Sequence, residues 1–352
     1  METPIEGIQW NSLGFSQTKT DFMVTSRFST KIGRWEDLQV VQYGPVDVEP
    51  ASAALNYGFS VFEGVKAFRS EDGSVQLFRP DMNAARFKQS AERMNMAAMD
   101  NELFIDAMCK VIAANSRFVP PCGEGALYLR PLLFASNCQL AAETEEFTFV
   151  VFASPTGNYF TSVDRGLRVL VTETYNRSAI DGVGFVKASG NYPATMLPKK
   201  LAIEKGFDDV LYTDSNESRF VEEASASNLF FVRDGKLYTP DTSRKTIHEG
   251  ITRASLIYLA RNELGMEVVD SEPLTVDMLK SAEEVFLSGT AIVIARVKSL
   301  TFENDADQEY KYPSYEVGKQ LKEMLMDIQN GKRKAPSSWL IVDVPSLPVQ
   351  DQ

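Results

Sequence analysis

Histidine is nearly absent from this sequence: 352 residues contain one, His248. That scarcity argues against a multi-histidine metal centre and against a nucleophile activated by a histidine triad, so no metal is expected. Cysteine is also sparse, and Cys109, Cys122 and Cys138 lack the spacing of a zinc site or a disulfide framework. Such thiols are expected to stay reduced in a cytoplasmic setting. Positive charge is in deficit, with 36 Lys and Arg against 48 Asp and Glu, a net charge of −12. Neither nucleic acid nor an anionic membrane suits that balance, because both are bound through basic patches that release counterions. No apolar run approaches the length needed to cross a bilayer. The opening stretch METPIEGIQWNSLGF has neither the basic start and apolar core of a signal peptide nor the arginine richness of a transit peptide. Small molecules are the expected partners.

What the sequence does contain is a mixture of strand and helix signals in both halves. Stretches 22–28, 75–80, 125–136 and 147–155 read as strands, and 81–97 and 102–118 as helices. Pro, Gly, Asn, Ser and Asp cluster at 155–166, which marks a linker. Beyond it, 167–174 and 209–214 read as strands, and 193–205, 251–264 and 314–330 as helices, the first weakened by Pro198. Asp234-Gly235 between two apolar runs signals a hairpin. The expectation is an α+β protein with a small N-terminal α/β domain at 1–154, a linker at 155–166 and a larger domain at 167–352. The active site is expected where the domains meet.

One stretch stands out chemically. FVKASGNYPATML, 185–197, sets Lys187 in an apolar run with no carboxylate within five residues. Desolvation favours the neutral amine, as a Schiff-base lysine requires. A strand-end lysine whose stem packs while its head reaches water also explains the stretch. If Lys187 carries pyridoxal phosphate, the ring nitrogen needs a carboxylate, and Glu222 and Glu223 are the candidates. In an extended segment one of them faces inward and the other outward. The phosphate needs backbone N–H groups at a turn or helix start, offered by Gly-Ile-Thr at 250–252 and Ser-Gly-Thr at 288–290.

Taken in order, NYGFSVFEGVKAFR (56–69), FRPDMNAARF (78–87), LYLRPLLF (127–134), KASGNY (187–192), EASASNLF (223–230), GITR (250–253) and SGTA (288–291) resemble the motifs of branched-chain amino-acid aminotransferases. These are fold type IV pyridoxal-phosphate enzymes, built like D-amino-acid aminotransferases, and the resemblance runs from about Asp21 to the mid-330s. It implies that Lys187 is the cofactor lysine and Glu223 the partner of the pyridine nitrogen. It gives Tyr192 to the cofactor's phenolic oxygen, and Arg86, the backbone of Ile251 and Thr252, and Thr290 to its phosphate. For substrate it implies Tyr57, Phe62, Tyr128 and Arg130, with Thr290 and Ala291 at the α-carboxylate and Tyr159 closing over the site. Ser189 stands where many members have glycine, and 292–295 read IVIA, without the cysteine pair some members carry.

The implied reaction is ping-pong transamination of leucine, isoleucine and valine with 2-oxoglutarate, by a homodimer or larger homo-oligomer. The competing readings are a D-amino-acid aminotransferase, an aminodeoxychorismate lyase, or a non-catalytic protein on the same scaffold. The pocket segments follow the branched-chain pattern, and Lys187, Glu223, Arg86 and Thr290 are all present.

Overall fold

The four N-terminal strand signals become Phe22–Ser29, Val75–Phe78, Ala126–Ala135 and Glu146–Thr156. The computed structural model describes residues 1–137, 144–157, 159, 165–216 and 219–345. Among these residues the first sheet is antiparallel. Its order is Ile341–Asp343, Val75–Phe78, Val65–Arg69, Ala126–Ala135, Glu146–Thr156, Phe22–Ser29 and Arg34–Trp35. Gln39–Gln42 adds to Phe22–Ser29, and Ser60–Phe62 adds to Ala126–Ala135.

Ala126–Ala135 therefore carries two short partners on one edge, paired as Phe62 with Leu132 and Val65 with Leu129. Between them the ladder breaks at Glu63 and Gly64, opposite Pro131, which has no N–H to give. Glu63 N–H still donates to the Pro131 carbonyl at 2.9 Å. The break leaves the Glu63 side chain fully buried.

Two helices build the core of this unit. Pro80–Arg93 starts on its proline, where a missing N–H costs nothing. It stops at Arg93 rather than near 97, because Asn95 turns to a φ of +54°. The helix expected over 102–118 is Asn101–Ala114 followed by a 3-10 turn at Ser116–Phe118. Buried Asn115 explains the stop: its Oδ1 accepts from the Asp21 and Phe22 N–H groups, and its Nδ2 donates to the Phe22 and Val111 carbonyls. A side chain meeting four backbone groups competes with further helix. Phe87 and Phe104 from the two helices meet each other at 5.1 Å between ring centroids, and meet Phe149 of the sheet at 5.9 and 6.5 Å.

The second sheet is mixed, and its order among the described residues is Val221–Ala224, Asp209–Thr213, Leu167–Thr172, Val293–Phe302, Glu284–Gly289, Asn228–Arg233, Lys236–Tyr238 and Val268–Val269. Asp305–Lys311 pairs with Val293–Phe302. Asp234 and Gly235 have φ of +50° and +70°, the left-handed pair that closes a two-residue hairpin. Helices Pro193–Glu204, Ile251–Asn262 and Glu316–Gln329 match three expected helices within two residues at each end. Pro198 is tolerated inside the first, whose Ala202 packs with Leu170, Val210 and Tyr212, so burial offsets the lost backbone bond.

The chain forms two units: Met1–Tyr159 with Lys187–Gly190 and Asp327–Gln352, and Phe160–Val186 with Asn191–Met326. The expected division gave all of 167–352 to the second domain. It differs here because Ile341–Asp343 pairs with Val75–Phe78 and Ala188 bridges Val61. Cys138 and half of the expected linker, 158 and 160–164, lie outside the described residues.

Lys66, in Val65–Arg69 opposite Tyr128, is the deeply buried lysine of this sheet, whereas Lys187 is half-buried. Burial pushes the Lys66 ammonium down to about 8 from an ordinary 10.5. The folded state then binds this proton less tightly than the unfolded state, so the charge penalty is full below about pH 8 and fades as pH rises to 10.5. Lys66→Met should therefore raise stability at pH 7, by at most on the order of 3 kcal/mol. Thermal unfolding measured from pH 7 to 10.5 should show the gain shrinking, and a constant gain would sink this reading.

Candidate active site

The backbone of Lys187 is held at both ends of its peptide. Its N–H donates to Ser90 Oγ at 3.0 Å, and its carbonyl accepts from the Phe62 N–H at 3.1 Å. Ser90 in turn donates to the Arg86 carbonyl, one helical turn back. Lys187 Nζ lies 4.7 Å from the centroid of the Phe62 ring. Arg86 forks onto Glu63, Nε to Oε1 at 2.6 Å and Nη2 to Oε2 at 3.0 Å, while Asn83 Nδ2 donates to Oε2 at 2.9 Å. Burial alone would raise the Glu63 carboxyl, but Arg86, with Lys187 and Asn83 adding, outweighs it and holds the group below the usual carboxylate range.

The aromatic and cationic residues expected for substrate gather in the same unit. Tyr128 and Arg130 are two apart on Ala126–Ala135 and so share a face. Arg130 Nη2 donates to Tyr128 Oη at 3.2 Å, and the guanidinium lies 4.7 Å from the Phe62 centroid. Phe15 links Tyr128 to Tyr159 edge to face, at 5.0 Å on each side. Gly64 makes room for this group, since a Cβ there would collide with the Tyr128 hydroxyl. Tyr57 ends the short helix Ala53–Tyr57 and is 58% exposed.

The second unit carries the acid. Val221–Ala224 is covered on both faces, so Glu222 and Glu223 are both buried, where alternation predicted one inside and one out. Their surroundings separate them. Glu223 Oε1 meets Arg177 Nη1 at 2.9 Å and the His248 N–H at 3.1 Å, and Oε2 accepts from Asn228 Nδ2 at 3.0 Å. Glu222 accepts from Ser178 Oγ at 3.2 Å, its Oε1 has no hydrogen-bond partner among the described residues, and burial pushes its carboxyl up. A carboxylate that must stay charged beside a ring nitrogen is better served by Glu223.

Asn228 also donates to the His248 carbonyl at 3.0 Å, and the chain then passes through Gly250 into the helix Ile251–Asn262. A Cβ on Gly250 would strike Asn228 Oδ1. The N–H groups of Ile251 and Thr252 thus open a helix, where no intrahelical acceptor exists for them. Thr290 and Ala291 sit in the three-residue loop between Gly289 and its partner Val293. Val293 adopts a φ of +57°, a strained choice for a β-branched residue. Tyr192 caps Pro193–Glu204, with its hydroxyl 3.5 Å from His248 Nε2.

The family model for amino-transferase class IV matches residues 60–300. Branched-chain-amino-acid aminotransferase 1, mitochondrial, of Arabidopsis thaliana is 43% identical over 335 residues, covering 95% of this chain and 86% of that protein. This chain belongs to the class IV aminotransferases. Branched-chain-amino-acid transaminase 1 of Bacillus subtilis is 36% identical over 94% of both chains. Among solved structures, the branched-chain amino acid aminotransferase of Escherichia coli aligns with a TM-score of 0.75 at 27% identity, over 93% of this chain and 99% of that one. A branched-chain amino acid aminotransferase of T.th., complexed with N-(5'-phosphopyridoxyl)-L-glutamate, aligns with a TM-score of 0.74 at 27% identity, over 90% and 97%.

The residues of this class IV aminotransferase fit the cofactor of its family, pyridoxal phosphate. An amine, a buried acid with three donors and a glycine-opened helix start are all present. Sequence reasoning missed Glu63, Arg177, Phe15 and the place of His248. Only His248 carried a signal, lying four residues before Thr252.

Arg177→Met should remove the cation paired with buried Glu223, at a cost of about 3–5 kcal/mol. Urea unfolding at pH 7 checks this, and Arg177→Lys should lose less. A loss under about 1 kcal/mol in the methionine variant would show that the pair contributes little.

Proposed function

We propose that this chain transfers the amino group of leucine, isoleucine and valine to 2-oxoglutarate. The observation that carries the substrate class is Arg130: a guanidinium bonded to Tyr128 and faced by Phe62, within the unit that holds Lys187. Aromatic faces receive an alkyl side chain, and the guanidinium receives the side-chain carboxylate of glutamate. One pocket can then serve both halves of a ping-pong cycle.

The site residues divide the work as follows. Lys187 Nζ would anchor the cofactor and, once freed, would act as the general base that takes and returns the proton at the substrate α-carbon. Pyridoxal phosphate, when bound, supplies the electron sink for the α-carbanion. Glu223 holds a proton on the ring nitrogen, with Arg177, Asn228 and the His248 N–H fixing its orientation. Tyr192 binds the phenolic oxygen, while Arg86, the Ile251 and Thr252 N–H groups and Thr290 bind the phosphate. Thr290 and Ala291 orient the α-carboxylate, with Tyr57 and Tyr159 completing the substrate walls.

The working form we propose is a cytoplasmic homodimer. Cys109 and Cys122 are free thiols, as a reducing compartment favours, and helix Ala53–Tyr57 exposes Leu55 and Tyr57 in the single chain. Sedimentation giving a monomer mass would refute the assembly, and recovery of the full chain in an organelle fraction would refute the compartment.

A panel of amino acids with 2-oxoglutarate as acceptor tests the activity, with leucine, isoleucine and valine expected to react fastest. Borohydride reduction of the holoenzyme should fix the cofactor on Lys187, and a label mapped to Lys66 would refute the assignment. Arg130→Met should cost glutamate about tenfold to a hundredfold in kcat/KM, through charge-assisted bonds of roughly 1.5–3 kcal/mol. Leucine should lose far less. Equal losses in the two half-reactions, measured in single turnovers, would make Arg130 structural.

A further inference from the structure

The mechanism above uses only the backbone of His248, yet the residue is buried and its ring lies beside Tyr192, a residue given to the cofactor. Its Nδ1 lies 3.2 Å from the Phe185 carbonyl, and its Nε2 lies 3.5 Å from Tyr192 Oη. The His248 and Tyr192 rings are nearly parallel, 20° apart with centroids at 6.5 Å. A carbonyl only accepts, so Nδ1 must carry a hydrogen for that bond to exist. In the neutral ring, Nε2 is then the acceptor, and the hydrogen in the contact with Tyr192 is the phenolic one.

We propose that His248 is a positioning residue that draws the Tyr192 hydroxyl hydrogen toward itself and so restrains how strongly Tyr192 donates to the cofactor. A phenol has one hydrogen, and His248 Nε2 competes for it with the cofactor's phenolic oxygen. The histidine is itself fixed from several sides. Glu223, paired with Arg177, accepts from its N–H, and Asn228 donates to its carbonyl. The other charged neighbours are Glu249, next in the chain, and Lys245, whose Nζ lies 5.6 Å from the Phe185 centroid. The inference rests on Tyr192 facing the cofactor, as the proposed function has it.

The single histidine makes the first test direct. In full-length holoenzyme labelled with 15N-histidine, the ring signals should show Nδ1 protonated and Nε2 bare, and Tyr192→Phe should move the Nε2 signal. The opposite tautomer, or an unmoved Nε2 signal, overturns the proposal.

The second test follows the pH midpoint of the bound cofactor's visible absorption, which reports loss of the proton from the lysine–cofactor linkage. That loss leaves more negative charge on the phenolic oxygen, so a stronger donor there lowers the midpoint. His248→Leu frees the Tyr192 hydrogen and should lower the midpoint by about half to one pH unit. Tyr192→Phe removes the donor and should raise it. His248→Gln, which keeps an acceptor near the position of Nε2, should stay close to the unsubstituted enzyme. A merely structural histidine would loosen Tyr192, and His248→Leu would then shift the midpoint upward with Tyr192→Phe. That result, or no shift in His248→Leu while Tyr192→Phe moves, overturns the proposal. If Tyr192→Phe leaves the midpoint unmoved, the placement of Tyr192 on the cofactor has failed instead, and the nitrogen signals still decide the contact.

Discussion

A negative charge kept away from water organises the second unit. Glu223 is 2% exposed, and a lone carboxylate at that depth would cost several kcal/mol. Three of its donors come from separate stretches of chain: Arg177, the His248 N–H and Asn228. Each donor binds further. Arg177 also reaches the Gly184 and Thr246 carbonyls, and Asn228 the His248 carbonyl. Satisfying one acid therefore ties together the segment leading to Lys187, the approach to the helix at Ile251 and the strand opening at Asn228. Replacing such a group by an apolar side chain often leaves a protein as stable or more so, so its presence fits a demand of the chemistry better than a demand of folding.

The first unit solves the converse problem, gathering cations. Arg86 and Lys187 both lie close enough to the buried acid Glu63 to hold its carboxyl below the usual range. The fork between Arg86 and Glu63 fixes the guanidinium plane and removes most of its side-chain freedom. Glu63 takes this place because the sheet edge breaks opposite Pro131, and Gly64 beside it gives the Tyr128 ring its space. These two adjacent residues thus set the position of both the Arg86 guanidinium and the Tyr128 ring.

Local chemistry was legible in the sequence wherever its causes were local. The Asp-Gly hairpin, the proline-started helix at 80 and the glycine-opened helix at 251 each follow from a few adjacent residues, and each is where it was read. The ordered motifs identified the family. Partners distant in the chain were illegible. Arg177 stands 46 residues before the acid it neutralises, and Glu63 is 23 residues before Arg86. Alternation misplaced Glu222 because its strand is covered on both faces, a property of the sheet and not of the tetrapeptide. A single histidine cannot build a multi-histidine centre, but its backbone N–H is one of the donors that hold Glu223, a role no count of histidines reveals.

The first unit is assembled from three separated pieces of chain, one of them only the four residues Lys187–Gly190. No single cut in the gene would release either unit whole. Recombination that swapped one half for a relative's would carry Lys187 away from the strand and serine that seat its backbone. Such a protein is expected to diversify by substitution and loop change, with both units inherited as one block, and to resist the module exchange open to chains whose domains follow one another in sequence.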